Sequence, residues 1–394
     1  MTIFKLVMVS FLLLVISACA TNSYQYEDSR SIPVQERAET QSQGGMSISA
    51  SVPGEDEAEA IFGIPVYERG IQPVWIEVAN NTTDRIRFAP TGIDRNYFSP
   101  LEVAYIHRKG FSKEARAQMD RRFHDSAMPR QIPAGETRSG YVFTHVAPGT
   151  KSFNVGLFSD GSDHNFAFFL TTPGFVPDHE AIDFISLYPP SEMIDTGLDG
   201  ARRALLEGPL SSTDQTGQLQ GRPLSIVIVA DGIDVLKAIL RAGWYESPRI
   251  TDPEQLEKAQ YLFGRIPDAV FRIQRSNNVD RNKLHLWLAP IRLDGKPVWM
   301  AQVSHFIGQR TRLEQVIFGA RLDPNIDEGR DFFLQNMWYS QSLKKFTLLE
   351  AGEEIPVEKA LRDFNGTEYF TDGELLMTWL SGVPISLIET RFID

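Results

Sequence analysis

The sequence predicts two folded domains behind an N-terminal leader: an immunoglobulin-like β-sandwich with a helical insertion, then a layered α/β domain. Short apolar-alternating runs punctuated by turn residues begin at Ile71, and a helical stretch interrupts them after Ser99. From about residue 200, strand-like and helical patterns alternate. The expected segments are a signal peptide over 1–18, an acidic disordered tether over 19–60, a sandwich over 61–178 and an α/β domain over 200–383. About 335 residues remain after leader and tether, enough for two separate cores. A net charge of −12, with 23% charged and 42% hydrophobic residues, fits an acidic globular chain. That balance argues against a nucleic-acid partner, which would call for a basic face. It also argues against lying flat on anionic headgroups.

The leader has one positive charge by Lys5, an apolar run from Leu6 to Ile16, and small residues before Cys19, the single cysteine. The run is well short of the roughly 20 residues that span a bilayer. Ile16-Ser17-Ala18-Cys19 resembles a bacterial lipobox, which implies lipidation of Cys19, cleavage before it and palmitate-type acylation. Several acyl chains anchor stably where one is marginal. Ala20 in place of aspartate favours, by the same resemblance, the outer membrane facing the periplasm. No disulfide is possible. Thr21 to Ala60 holds eight acidic residues against two basic ones and few large apolar side chains, the composition of a solvated tether.

The sandwich strands are expected at "QPVWIEVAN", "DRIRFAP", "SGYVFTHVAP", "KSFNVGLFSD" and "NFAFFLTTP". Val74, Ile76 and Val78 alternate as in a half-buried strand. Within the insertion, Ser99-Pro100 starts one helix and Ser112 precedes another. Lys113, Arg116, Arg121 and Arg122 then gather positive charge in an acidic chain, either as a solvated helix face or as a docking patch for an anionic partner. His107 and His124 flank them and are expected at the surface.

In the second domain, "SIVIVADGIDVLKAILRAGW" reads as a buried strand, a turn and a helix capped by Asp231. Ile233, Leu236 and Leu240 should face the core, and Gly243 should stop the helix. "ADGID" lacks the glycine spacing of a phosphate loop. A second helix is expected from Asp252-Pro253 to Gly264. Strands follow at "AVFRIQR", "KLHLWLAPIR" and "VWMAQVSHFIG", then a helix to about Tyr339 and strands at "KKFTLLEAG" and "ELLMTWL". Together with "RRALLEGPLSST", "LFGRIPDAVFRIQ", "LDPNIDEGRDFFL" and "YFTDGELLM", these segments resemble the LssY C-terminal domain over about residues 200 to 380. The resemblance implies an envelope setting beside membrane modules, some similar to phosphatidic-acid phosphatases, and a named role in secretion without an agreed activity. Ser211-Ser212 stand where the family pattern leads one to expect paired cysteines. Ala320 and Arg321 precede Leu322 where histidines are expected.

Three constellations could carry chemistry. A two-residue Asp294-Gly295 turn pairs Leu284 with His305 and His285 with Ser304, placing the histidines on opposite faces; a three-residue loop would make them neighbours and a candidate metal pair. Asp323, Asn325 and Asp327 are spaced like the opening of a calcium loop. However, the glycine falls one place late and Leu334 occupies the bidentate position. The simpler reading is a helix start, with Arg330 pairing a carboxylate. Asp372-Gly373 reads as a strand-joining turn. No metal or cofactor is expected. The leading functional expectation is a lipid-anchored, non-catalytic binding module for an envelope protein or a lipid-phosphate partner. The alternative is a phosphoester or acyl hydrolase in which His285, Asp323, Asp327 and Arg330 converge.

Overall fold

The computed structural model describes residues 22–27, 32–94, 96–159, 162–248, 250–275, 279–307, 313 and 321–393. The expected signal peptide and Cys19 lie outside the described residues. The chain divides into two compact units, 1–147 with 153–173, and 148–152 with 174–394. Both mix strand and helix, with sheet dominant.

Unit 1 is built from β1 (Glu39–Gln43), β2 (Met46–Ser51), α1 (Glu55–Phe62), β3 (Ile71–Asn80), β4 (Ile86–Ala89), α2 (Pro100–His107), α3 (Lys113–Ser126), β5 (Gln131–Ile132), β6 (Thr137–His145), β7 (Thr150–Ser159) and β8 (Ser162–Thr171). Among the described residues these strands form two four-stranded sheets, β1-β2-β3-β6 and β5-β4-β7-β8. One buried cluster joins Ile48, Val74 and Ile76 of the first sheet to Phe88, Leu157 and Phe168 of the second.

The expected tether is corrected: Tyr24 and Val34 are already buried with α1, α2 and α3, and regular structure runs from Glu39. β1 and β2 form a hairpin closed by Gly44 and Gly45, both at positive φ. Met46, Ile48 and Ala50 alternate into the core. Composition averaged over forty residues hides this local period of two. α1 follows, its start fixed by Glu57 Oε2 accepting from Gly54 N at 2.8 Å. It ends at Gly63, where φ is 67° and a Cβ would lie 1.9 Å from Gln25 O. The folded unit therefore begins well before residue 61.

β3 is also buried on both faces rather than one. Val74, Ile76 and Val78 point into the inter-sheet cluster, while Trp75 faces a second cluster made with α1, α2 and α3. The insertion helices supply that cover through Val103, Ala104, Ala115, Met119 and Phe123. Their starts follow the sequence: Ser99 and Glu102 form a capping box, and Ser112 Oγ accepts from Ala115 N at 3.1 Å.

Unit 2 contains β9 (Ile194–Thr196), α4 (Leu198–Glu207), β10 (Ser211–Thr213), β11 (Gln220–Pro223), β12 (Ile226–Val229), α5 (Gly232–Arg241), β13 (Tyr245–Glu246), α6 (Pro253–Glu257), β14 (Ala269–Arg275), β15 (Val279–Leu293), β16 (Lys296–Ile307), β17 (Arg321–Leu322), α7 (Ile326–Tyr339), β18 (Leu343–Glu350), β19 (Leu361–Arg362), β20 (Glu368–Tyr369), β21 (Glu374–Leu380) and β22 (Arg391–Phe392). Its main sheet runs β13-β14-β15-β16-β12-β21-β18-β22, with β9 on β15 and β17 on β16. Helices cover both faces. α5 and α7 lie with Ile226, Ile228, Phe271, Leu284, Leu286 and Trp299, and α4 lies with Val227, Val229, Trp287 and Met300.

Two helices depart from expectation. In α5, Val235, Ala238, Ile239 and Leu240 are buried, whereas Ile233 is 57% exposed. The helix starts at Gly232, so Ile233 sits in its first turn beyond the buried stripe. Asp231 makes no side-chain cap bond and instead pairs with Lys296. α6 stops at Glu257 rather than Gly264, because Tyr261 leaves to pair with Thr213.

Asp294 and Gly295 form the predicted two-residue turn, both at positive φ. A bulge between Leu288 and Arg292 then shifts the pairing by two, so His285 opposes Gln302 and His305 opposes Asn282. An even shift preserves faces, and the two histidines lie on opposite sides of the sheet.

Candidate functional site

The residues most able to receive a ligand are apolar and come from sequentially distant segments of unit 2. On the α5 face of the sheet, Phe271, Leu286, Leu288 and Trp299 form a floor. Ile233 and Leu236 of α5 form one wall, and Phe184 and Tyr188 form the other. They enclose an open cavity of about 760 Å³, within the roughly 300–1,000 Å³ range of small-molecule sites. His179, Asp195 and Arg292 supply polar groups to its lining.

Each wall is held by specific bonds. Phe184 packs edge-on against Trp299 with ring centroids 5.4 Å apart. Trp299 Nε1 donates to Ala230 O at 3.1 Å. Tyr188 donates its hydroxyl to Leu288 O at 2.7 Å and accepts from Arg265 Nη1 at 2.8 Å. Burial raises the Tyr188 pKa, against the lowering influence of Arg265, so the phenol stays protonated. Arg265 is locked in turn by Asp268 through bonds of 2.7 and 2.9 Å. His179 Nδ1 stands 3.5 Å from the buried Glu246 Oε1.

The helix-start reading of "DPNIDEGRD" describes what is built there. Asn325 caps α7 by accepting from Asp327 N at 3.2 Å, and Asp323 Oδ1 accepts from Asn325 N at 3.0 Å. Arg330, 4% exposed, donates to both Asp372 oxygens at 2.7 and 2.8 Å. Asp327 accepts from Thr371 Oγ1 at 2.7 Å and Asp372 N at 2.9 Å. The network pins α7 to the turn before β21.

His285 is not part of it. That side chain shares a face with Trp287, on the α4 side, whereas α7 covers the opposite face. His285, Asp323, Asp327 and Arg330 thus do not converge on one reacting atom, as the hydrolase expectation required. Burial, helped by the charges of Lys283 and Arg222, lowers the His285 pKa to about 3, so the ring is neutral at ordinary pH. Among the described residues no group of three or more His, Cys, Asp or Glu side chains could hold a metal ion.

In unit 1, Lys113, Arg116 and Arg121 are exposed along α3. Arg122 is engaged instead: its Nε and Nη2 donate to Ile61 O at 3.2 and 2.9 Å, and it stacks over Tyr26. The patch is therefore narrower than the sequence implied. His124 is exposed, whereas His107 is half-buried and bonded to Val103 O at 2.8 Å, corrected from a surface position.

Residues 205–375, less than half of the chain, match the family described as LssY C-terminus. The second unit carries an LssY-like domain. No curated protein matches the chain. The matched residues provide the sheet floor and the α5 wall of the cavity, while Phe184 and Tyr188 precede the LssY-like stretch. Ser212, in the Ser211-Ser212 step, is fully buried, its Oγ lying 3.1 Å from Arg222 O and 2.5 Å from Gln260 Oε1, which share its one proton. The cavity escaped sequence reading because its lining residues are ordinary core types. Ile233 gave no local signal either, because its spacing from Leu236 and Leu240 reads as a core stripe.

Proposed function

We propose that this chain is a non-catalytic binding module of the cell envelope, and that its LssY-like unit takes a hydrocarbon chain into the cavity between α5 and the sheet. The observation that carries this reading is the cavity itself: an apolar floor and walls with few polar groups, large enough for an extended alkyl chain. Arg292 and His179, with Asp195, are the polar groups of the lining that a headgroup would meet. A fluorescent long-chain fatty acid should therefore bind the full chain saturably. Ile233→Asp places a carboxylate on a wall position that is already exposed, so the fold should tolerate it. That change should weaken the probe at least about tenfold, or 1.4 kcal/mol. Equal affinity in the variant, or no saturable uptake by the native chain, removes the reading.

The setting follows from the lipobox resemblance: Cys19 would carry the lipid and hold the protein at the outer membrane, facing the periplasm. Among the described residues no helix is long and apolar enough to span a bilayer. Cys19→Ser should release the chain from envelope fractions into the soluble fraction. Retention equal to the native protein would show that acylation is not the tether. The exposed Lys113, Arg116 and Arg121 face would serve an anionic envelope partner. The two four-stranded sheets around a common core support an immunoglobulin-like sandwich for unit 1.

A further inference from the structure

The face of the LssY-like sheet opposite the cavity carries a second cluster. Strand register sets Arg272, Lys283 and Ser304 side by side across β14, β15 and β16. Directly opposed residues have Cβ atoms about 4.5–5.5 Å apart, so these side chains are neighbours. Arg222 reaches in from β11 and donates from Nη2 to Ser304 Oγ at 2.5 Å. Two guanidinium groups and one ammonium thus stand along a single row. His285 and Gln302 form the adjacent row.

The positive charge of this row is incompletely balanced. Arg222 is 5% exposed, yet its carboxylate partner Asp363 lies 3.6 Å from Nε, too long for a hydrogen bond. Asp363 is already engaged, its Oδ1 accepting from Asn365 N at 2.9 Å and Thr367 N at 2.8 Å. Nε of Arg222 and Nε of Arg272 are both buried without a hydrogen-bond partner. Among the described residues, neither Arg272 nor Lys283 has an ion-pair partner within 4.0 Å. His285 and Gln302, in the next row, interact with each other, and Gln302 Nε2 also donates to Arg222 O at 3.0 Å, so the unmet donors belong to the cationic row. Burial lowers the pKa of Lys283, with Asp280 opposing that shift and Arg272 adding to it. A fold gains nothing from burying cations and donors it leaves unpaired. The arrangement makes sense if the counter-charge arrives with a ligand.

We propose that Arg222, Arg272, Lys283 and Ser304 form an oxyanion site that binds a phosphate group, free or as a phosphoester. A phosphoryl group offers three acceptor oxygens and close to two negative charges. That matches three cationic donors in a row plus a hydroxyl. A carboxylate, with two oxygens and one charge, would leave one cation unpaired. Binding here is independent of the hydrocarbon cavity, which lies on the other face of the sheet.

Equilibrium dialysis of radiolabelled inorganic phosphate against the full chain tests the site. One saturable site per chain is expected. Lys283→Gln, at a half-buried position, should weaken binding at least tenfold, and Arg272→Gln should act likewise, so that one misfolded variant does not decide the outcome. Without phosphate, Lys283→Gln should melt no lower than the native chain, because it removes repulsion rather than an ion pair. Ile233→Asp should bind phosphate normally, which separates failure of this site from failure of the cavity. Displacement of the label by vesicles containing phosphatidic acid, but not by phosphatidylcholine alone, assigns a lipid headgroup. Displacement by glycerol 3-phosphate without displacement by those vesicles assigns a soluble ester, and displacement by neither assigns free phosphate. Absence of saturable uptake, or native affinity in both glutamine variants, overturns the proposal.

Discussion

Asp268→Ala should destabilise unit 2 by about 3–5 kcal/mol, the range for breaking a buried ion pair from one side. Asp268 is fully buried, and its Oδ2 accepts from Leu288 N at 2.6 Å as well as from Arg265. Removing the carboxylate leaves that backbone N–H without its acceptor. It also leaves a guanidinium uncompensated beneath Tyr188 and Phe263, 5.1 and 5.5 Å from their ring centroids. For a unit of this size the loss corresponds to roughly 6–20 °C in Tm. The measurement should follow the unit 2 transition by itself, since a two-unit chain need not unfold in one step. Asp268→Asn should lose less, because its amide oxygen can still accept from Leu288 N. Tyr188 depends on Arg265 for its position, so Asp268→Ala should also weaken the hydrocarbon probe. A shift below about 2 °C with unchanged probe binding would mean that the Arg265 network does not support the cavity wall.

Arg330→Ala should cost about 2–3 kcal/mol at pH 7. This is less than the value for a fully buried pair, because Asp372 is partly solvated. The variant leaves Asp327, Asp372 and Glu374 facing one another without their shared cation. Arg330→Lys keeps the charge but not the two-pronged grip on Asp372, so it should fall between. The loss should depend on pH. Burial raises the Asp372 pKa, but hydrogen bonds from Arg330 and the Glu374 amide outweigh it and hold the group below the usual carboxylate range. A lowered folded-state value contributes stability above about pH 4, and that contribution disappears as pH falls through the lowered value. The gap between native and variant should therefore be full at neutral pH and narrow in acid. A gap that stays constant from pH 7 to pH 2.5 would mean that the Asp372 charge plays no part.

Much of the local structure was readable because it rests on neighbouring residues. Ser99, Ser112 and Asn325 cap helices through bonds to residues two or three positions away. Asp294-Gly295 closes its hairpin because glycine and aspartate tolerate positive φ. What failed was reasoning that averaged or extrapolated. Acidic composition over 19–60 concealed the alternation of Met46, Ile48 and Ala50, whose burial depends on β3 and not on their own segment. The pairing of His285 was missed by two residues because a bulge beyond Leu288 has no distinctive local composition. Arg272 and Lys283 carry no local signal in the sequence. Only register shows that they share a row with Ser304 and Arg222.

The sequence by itself determined the caps and turns, the main strands and helices of the second unit and its LssY-like character. All of these depend on interactions spanning a few residues or on a linear pattern. Tertiary structure decided where ligands could go. The cavity gathers Phe184, Ile233, Phe271 and Trp299, and the cationic row gathers Arg222, Arg272, Lys283 and Ser304. Strand pairing and helix packing bring these groups together from more than a hundred positions apart, as for Phe184 and Trp299, a proximity that no short-range property of the chain encodes.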